Sequence, residues 1–352
     1  MNSRFFRQRF PKYVLVVGVL LVFIWIYSEI VNEALFSVNN AHIADTVEDI
    51  LHHVKFDGKP SVKADVVESV CRQEKGNMDS EEPLCQKPPI LDPMYRNPCW
   101  SSKGELECVP YFLVTGMPYG RMEEVFYDLL GHKDITDYAD EAAEHGPIEH
   151  RTAVYGDYLY MDEADEEDSN TDNQQRGNRF LDLWRLQHVN PDIKIIVVLK
   201  DPVERVLDEY LDSSLYYDDM DSCSEFSRVL SRSLHTLKNC VTSSSLQECV
   251  IGDKSVDTEV DVASGFYSVF LAEWLAIFPR KNIMIINIED YQTKKRSMLE
   301  HIIKFLQLQP ISGPKLETIL ASEETEEYAF DCFEKELEDL YKPFNKKLKE
   351  IV

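Results

Sequence analysis

Two short stretches carry residue types suited to holding an anion. Gly116-Met117-Pro118-Tyr119-Gly120-Arg121 follows the apolar run that begins at Tyr111, and Lys200-Asp201-Pro202 follows the apolar run Ile193 to Leu199. A turn between a strand and a helix presents backbone N–H groups and the positive end of the helix dipole, which suits phosphate or sulfate. In an open α/β sheet such turns gather at the carboxyl ends of the strands. The windows to inspect are therefore Gly116 to Glu123 and Lys200 to Tyr210. His150, in IEHRT, is a candidate general base, although a lone histidine more often sits on a surface. Asp219-Met220-Asp221 has the D-x-D form with which nucleotide-sugar transferases hold a divalent metal. With 63 acidic residues in the chain, that pattern is expected by chance. The sequence has no C-x-x-C pair, so no metal is expected, and no G-x-x-x-x-G-K-[ST] loop, which argues against an ATP-using kinase.

The elements that would position these residues follow from periodicity. Tyr111 to Gly116, Ile193 to Leu199 and Ile283 to Ile288 are short apolar runs that read as buried strands. Helical patterns cover Arg121 to Leu130, Phe180 to Val189, Lys294 to Leu306 and Phe333 to Lys349. Pro202 opens a further helix to about Leu215, proline being tolerated in a first turn. Gly265 to Phe278 is apolar all round and reads as a buried helix. Strands separated by helices imply an α/β fold, a parallel sheet flanked by helices. Trp184, Trp274 and Phe278 read as core and Tyr291 as packing, whereas Glu204 and Arg205 read as helix-start or surface pairs. Asp157 to Asp172, which contains MDEADEEDSNTD, reads as an acidic mobile loop.

Tyr13 to Tyr27 is free of charge, and the run extends to Val31. At 1.5 Å per residue, 13–31 spans roughly 28 Å, about one bilayer core. Arg4, Arg7, Arg9 and Lys12 precede it, while Glu29 and Glu33 lie at or beyond its far end. The positive-inside rule then gives a cytoplasmic tail over 1–12, a transmembrane signal anchor over 13–31, a luminal stem over 32–98 and a luminal domain over 99–352. A cleaved signal peptide is the competing reading, but no small-x-small cleavage site follows closely. KPPILDP at Lys87 to Pro93 breaks the stem, and a helical piece is expected near Ile43 to Val54. All eight cysteines follow the anchor, which favours disulfides. Cys99 with Cys108 and Cys240 with Cys249 could close local loops. The net charge of −26 disfavours nucleic acid and weakens long-range attraction of any polyanion.

Three blocks then resemble the Golgi carbohydrate sulfotransferases. Val189 to Leu211, VNPDIKIIVVLKDPVERVLDEYL, is similar to the segment with which that family binds the 3′-phosphate of PAPS, a strand followed by R-D-P-V-E-R-x-x-S-x-Y. Gly265 to Tyr291 is similar to the family's G-x-Y-x-x-x-L-x-x-W-x-x-x-F-P, strand, E-D-Y block. Leu337 to Val352 resembles its last helix, with a Y-x-P-x-N-x-x-L core. NPCW and ECVPYFLVTGMP extend the likeness back to Asn97. Among the family's members, the blocks most resemble those that sulfate the 6-O position of N-acetylgalactosamine 4-sulfate. The resemblance implies a P-loop-like sulfotransferase fold, PAPS as the donor and a glycosaminoglycan acceptor such as chondroitin or dermatan sulfate.

The same resemblance assigns donor-site positions to Gly116, Tyr119, Gly120, Arg121, Lys200 and Asp208, and an acceptor-side base to His150. Most of these positions are substituted. The family turn reads about G-x-P-K-[SC]-G-T-T, and here Tyr119 replaces the lysine that offsets charge on the leaving group. Lys200 replaces the arginine of R-D-P, keeping the charge without the bidentate fork. Asp208 replaces a serine that would donate to the 3′-phosphate, and an ionised carboxylate cannot donate. Two functions are therefore expected to compete: a Golgi sulfotransferase acting on a glycosaminoglycan, and a pseudo-sulfotransferase that binds or scaffolds in the lumen.

Overall fold

The structure is a computed structural model that describes residues 41–60, 71, 83–137, 154–160, 179–214, 223–251, 258–311, 313–321 and 332–352. The expected anchor at 13–31, His150, most of the acidic run and the D-x-D at 219–221 lie outside the described residues. No helix among the described residues is long and apolar enough to cross a membrane.

The first element is helix α1, residues 41–53. A hairpin of β1 (Cys99–Ser102) and β2 (Glu105–Cys108) follows, with Cys99 opposite Cys108 and joined to it by a disulfide. The main sheet begins with β3 (Phe112–Gly116), which leads into α2 (Met122–Leu130). Then come β4 (Ile135–Asp137), β5 (Val154–Tyr160), α3 (Arg179–Val189), β6 (Lys194–Leu199) and α4 (Pro202–Ser214). Two helices absent from the expected set, α5 (Cys223–Val241) and α6 (Leu246–Val250), precede the buried α7 (Tyr267–Ile277). The chain closes with β7 (Ile283–Asn287), α8 (Ile288–Thr293), α9 (Lys295–Phe305), α10 (Pro314–Leu320) and α11 (Glu334–Ile351).

The five-stranded sheet has the order β4-β5-β3-β6-β7, and every neighbouring pair is parallel. The first strand of this sheet, β3, sits at its centre, and the chain lays β4 and β5 on one side of it before β6 and β7 on the other. That reversal makes the carboxyl ends of β3 and β6 a topological switch point, where open α/β sheets bind ligands. The two candidate turns leave from those two strand ends.

The central strands are apolar throughout because both faces are covered. Leu113, Ile195 and Val197 point into one core with α1, α5, α7 and α11, while Phe112, Val114, Ile196 and Val198 point into the other with α2 and α9. Trp274, Phe278 and Tyr291 are buried as expected, and Trp184 packs against the first core.

Several readings change. Residues 157–160, expected in a mobile loop, belong to β5 and pair with β3 from Leu113 to Gly116. Backbone pairing next to the central strand outweighs the acidic composition that follows. Within the segment read as a stem, α1 packs into the domain's first core through Ile43, Val47 and Ile50. Each such side chain contributes about 1.5–3 kcal/mol of apolar transfer. The third strand stops at Asn287, whose side chain accepts from the Asp290 N–H at 2.8 Å and caps α8. All eight cysteines are paired: Cys71–Cys85, Cys99–Cys108, Cys223–Cys332 and Cys240–Cys249.

Candidate functional site

The turn after β3 is tight. Gly120 N–H donates to the Met117 carbonyl at 2.9 Å, and a Cβ on Gly120 would meet that same oxygen at 2.7 Å. A Cβ on Gly116 would meet the Val198 carbonyl at 2.7 Å, so the close approach of β3 to β6 requires glycine there. Tyr119 and Arg121 have φ of 62° and 60°, the left-handed region that side chains adopt at a cost of about 1–2 kcal/mol. In the sulfotransferase pattern given above, the residue at the Arg121 position is glycine, which takes that conformation freely. The turn keeps the shape and loses the residue suited to it.

Next, α2 opens at Met122 with Glu123 and Glu124 in its first turn. They already complement the helix dipole, the role a bound phosphate would take. Glu124 also accepts from Gln292 at 2.8 Å.

On the β6 side, Lys200 is buried and its ammonium is ion-paired with Asp208 on α4. Asp208 is a third exposed, so this carboxylate stands between Lys200 and solvent. Asp201 caps α4, its carboxylate accepting from the Val203 N–H at 2.8 Å. The Asp201 N–H itself donates to Glu289 Oε1 at 3.1 Å, tying the switch point to α8.

Arg205 overturns the surface-pair reading, because it is fully buried. Its guanidinium donates to the Pro118 carbonyl at 3.4 Å, to Glu209 Oε2 at 3.3 Å and to the Asp261 carbonyl. Asp261 N–H in turn donates to both Glu209 oxygens at 3.0 Å. Arg205 thus joins the turn, α4 and the segment before α7 in one network. Burial pushes the Arg205 guanidinium down, but Glu209 foremost, with Tyr267, Tyr341 and Asp261, outweighs it and holds the group above its ordinary value. Burial raises the Glu209 carboxyl, and Arg205 offsets part of that rise.

Tyr119 also reaches α4, its hydroxyl lying 3.4 Å from Asp212 Oδ2. Partial burial, then Asp212 and Glu209, push its phenol above the ordinary range. It is therefore a neutral group at neutral pH, in a position to which the resemblance assigns a lysine.

The structure brings Gly116, Tyr119, Gly120, Arg121, Lys200 and Asp208 together at the switch point. Sequence reasoning missed Arg205, Glu209 and Asp212. The i,i+4 spacing of Arg205 and Glu209 on a helix was the available signal for the first two. Nothing in the sequence signalled Asp212.

A phosphosulfate nucleotide fits this donor set only in part. The turn and Lys200 favour an anion. Asp208, Asp212 and the two glutamates of α2 oppose one, and Lys200 and Arg205 have internal carboxylate partners. No group of residues able to hold a metal ion occurs among the described residues.

Comparison with known proteins bears on the family. A family model described as "Sulfotransferase domain" matches residues 122–332, beginning just after the turn and including Lys200, Arg205 and Asp208. Carbohydrate sulfotransferase 15 of Rattus norvegicus is 27% identical over 172 residues, covering 46% of this chain and 30% of that protein. The bifunctional heparan sulfate N-deacetylase/N-sulfotransferase 2 of Homo sapiens is 24% identical over 261 residues, covering 65% of this chain and 27% of that protein. The chain thus spans under a third of the length of these curated relatives. Among solved structures, the sulfotransferase from Alicyclobacillus acidocaldarius matches 69% of this chain and 95% of its own at 17% identity and a TM-score of 0.42. With the family model covering more than half of its length, the chain belongs to the sulfotransferase family.

Proposed function

We propose that this chain is a carbohydrate sulfotransferase of Golgi membranes. Its anchor at 13–31 places the domain in the lumen, where it transfers a sulfuryl group from PAPS to a glycosaminoglycan hydroxyl. The acceptor is chondroitin or dermatan sulfate, at the 6-O position of N-acetylgalactosamine. The observation that carries this reading is the convergence of the Gly116–Arg121 turn and Lys200 at the switch point of a parallel sheet. The relatives' names, carbohydrate and heparan sulfate sulfotransferases, supply the substrate class. Gly116, Gly120 and Lys200 are the groups that would hold the donor. No chemical step is assigned, because Tyr119 and Asp208 do not fit it.

A second reading is favoured by one contact. Asp208 neutralises Lys200, and with Tyr119 on Asp212 the donor site is satisfied internally. On this reading the fold persists as a pseudo-sulfotransferase, a luminal binding or scaffold protein.

Titration calorimetry with adenosine 3′,5′-bisphosphate separates the two. Micromolar binding supports the enzyme reading. Absence of binding by the folded protein removes it and leaves the second.

A further inference from the structure

We propose that α1 turns the switch-point edge of the domain toward the lipid bilayer, so that the candidate site opens on the membrane surface. The inference rests on the anchor at 13–31 and adds how the domain sits above it.

α1 is fixed in the domain. Ile43, Val47 and Ile50 are buried in the first core, and Asp49 pairs with Lys238 of α5 at 2.5 Å. The helix therefore moves with the sheet, and its first residue marks where the chain from the anchor enters. Nine residues, 32–40, lie between the anchor and α1. Fully extended, they span at most about 35 Å. The first part of the segment read as a stem is thus a short tether, and the domain stands close to the membrane.

The direction of α1 follows from its neighbours. α11 ends at the amino edge of the sheet. There the Val352 carbonyl accepts from Arg280 at 3.2 Å, and Arg280 donates at 2.6 Å to the carbonyl of Ile283, the first residue of β7. Nearer the start of α11, Tyr341 donates to the Val262 carbonyl, beside the Asp261 that receives Arg205. α11 thus runs from the switch-point edge to the amino edge, about 27 Å for its 18 residues. The chain just after α1 lies at the far end of that run. A Cβ on Gly58 would touch Lys347 and Ile351, and the Lys59 carbonyl accepts from Gln247 of α6 at 3.4 Å. Ala44, in the first turn of α1, lines a groove together with Asp201 and with Lys335 from the first turn of α11. α1 therefore runs beside α11 in the same direction, and the tether leaves from the switch-point edge.

Attraction to lipid does not set this orientation. The edge carries Glu123, Asp201, Asp208 and Asp212, which oppose an anionic headgroup surface. The point of attachment sets it. An acceptor displayed on the same membrane then meets the site at high effective concentration.

The test uses the full chain in zwitterionic nanodiscs that carry an acceptor dye on the lipid headgroups. All eight cysteines are paired, so Lys335→Cys and Lys281→Cys each give one thiol for a donor dye. Both sites are exposed, the first at the switch-point edge and the second at the amino edge. Energy transfer should be at least about twofold higher from position 335, given the helix length between the two edges. Glu334→Cys and Lys304→Cys, also exposed, repeat the comparison at independent sites. The contrast should persist at high salt. A Gly/Ser spacer of about 40 residues inserted after residue 36 should lower the transfer at both edges and abolish the contrast. Equal or reversed transfer in the chain without the spacer, or a contrast lost at high salt, overturns the orientation and leaves the sulfotransferase reading standing. A chain that does not enter the nanodiscs overturns the anchor together with the orientation.

Discussion

Lys200 and Asp208 face each other across the turn that joins β6 to α4, the ammonium buried and the carboxylate a third exposed. Eight residues separate them, and the pair exists because the strand end and the second turn of the helix fold back together. A phosphate arriving at Lys200 meets Asp208 first. The contact therefore stabilises the fold and opposes an anionic ligand, two effects that can be separated by substitution.

The variant Asp208→Ser/Tyr119→Lys should bind adenosine 3′,5′-bisphosphate at least about a hundredfold more tightly than the parent. Like charges at about 4 Å and an effective dielectric near 20 oppose each other by on the order of 4 kcal/mol, so relieving about two thirds of that suffices. Without ligand, Asp208→Ser should lose about 1–3 kcal/mol of stability, because the Lys200 ammonium is left buried and unpaired. Thermal unfolding with and without the nucleotide reads both effects. If the nucleotide does not raise the variant's unfolding temperature, these side chains do not define the donor site.

Arg205→Met should destabilise the chain by about 3–5 kcal/mol, since it leaves Glu209 buried without its cation. Arg205→Met/Glu209→Leu should recover more than half of that loss. A double-mutant cycle by urea unfolding measures the coupling. Additive losses would mean that the Arg205 carbonyl contacts, not the ion pair, carry its role.

What the sequence made legible follows from burial. β3, β6 and β7 are covered on both faces, so they appear as uninterrupted apolar runs. β5 does not, because Tyr158 and Tyr160 merge into MDEADEED and the composition masks the strand. The α5 signal was present in Phe226, Val229, Leu230, Leu234, Leu237 and Val241, an i, i+3, i+4 stripe. Ile43, Val47 and Ile50 likewise formed a stripe that marks a core helix rather than a stem. The turn positions at the site were legible through the resemblance. Lys200–Asp208 and the Arg205 network were not, because both depend on where a strand-to-helix turn folds back.

The two ends of the first turn should respond oppositely to single substitutions. Gly116→Ala places a Cβ 2.7 Å from the Val198 carbonyl and should cost about 1–3 kcal/mol, as overpacking against backbone does. Arg121→Gly relieves a left-handed φ of 60° and should leave stability unchanged or raise it by up to about 1 kcal/mol. Chemical denaturation of both variants checks the contrast. A destabilised Arg121→Gly alongside a neutral Gly116→Ala would reverse the account of the turn.

Three buried phenols should set the alkaline limit of the fold. Burial is the leading cause that pushes Tyr267, Tyr291 and Tyr341 above their ordinary range. A group whose folded value exceeds its unfolded value, here near 10, contributes stability that is fully present below the unfolded value. That contribution is lost as pH rises toward the folded value, so base-induced unfolding should begin above about pH 10. Tyr341 donates to the Val262 carbonyl at 2.8 Å, whereas the Tyr267 hydroxyl has no hydrogen-bond partner among the described residues. Tyr267→Phe should therefore be neutral or stabilising by up to about 1 kcal/mol at pH 7, while Tyr341→Phe should lose about 1 kcal/mol. Absorbance at about 295 nm, the phenolate band, followed alongside circular dichroism should show these phenols ionising with unfolding rather than before it. Tyr267→Phe should move the alkaline midpoint upward. An unmoved midpoint, or titration of all the phenols in the folded chain below about pH 10, would sink the assignment of Tyr267 as a buried, unpartnered hydroxyl.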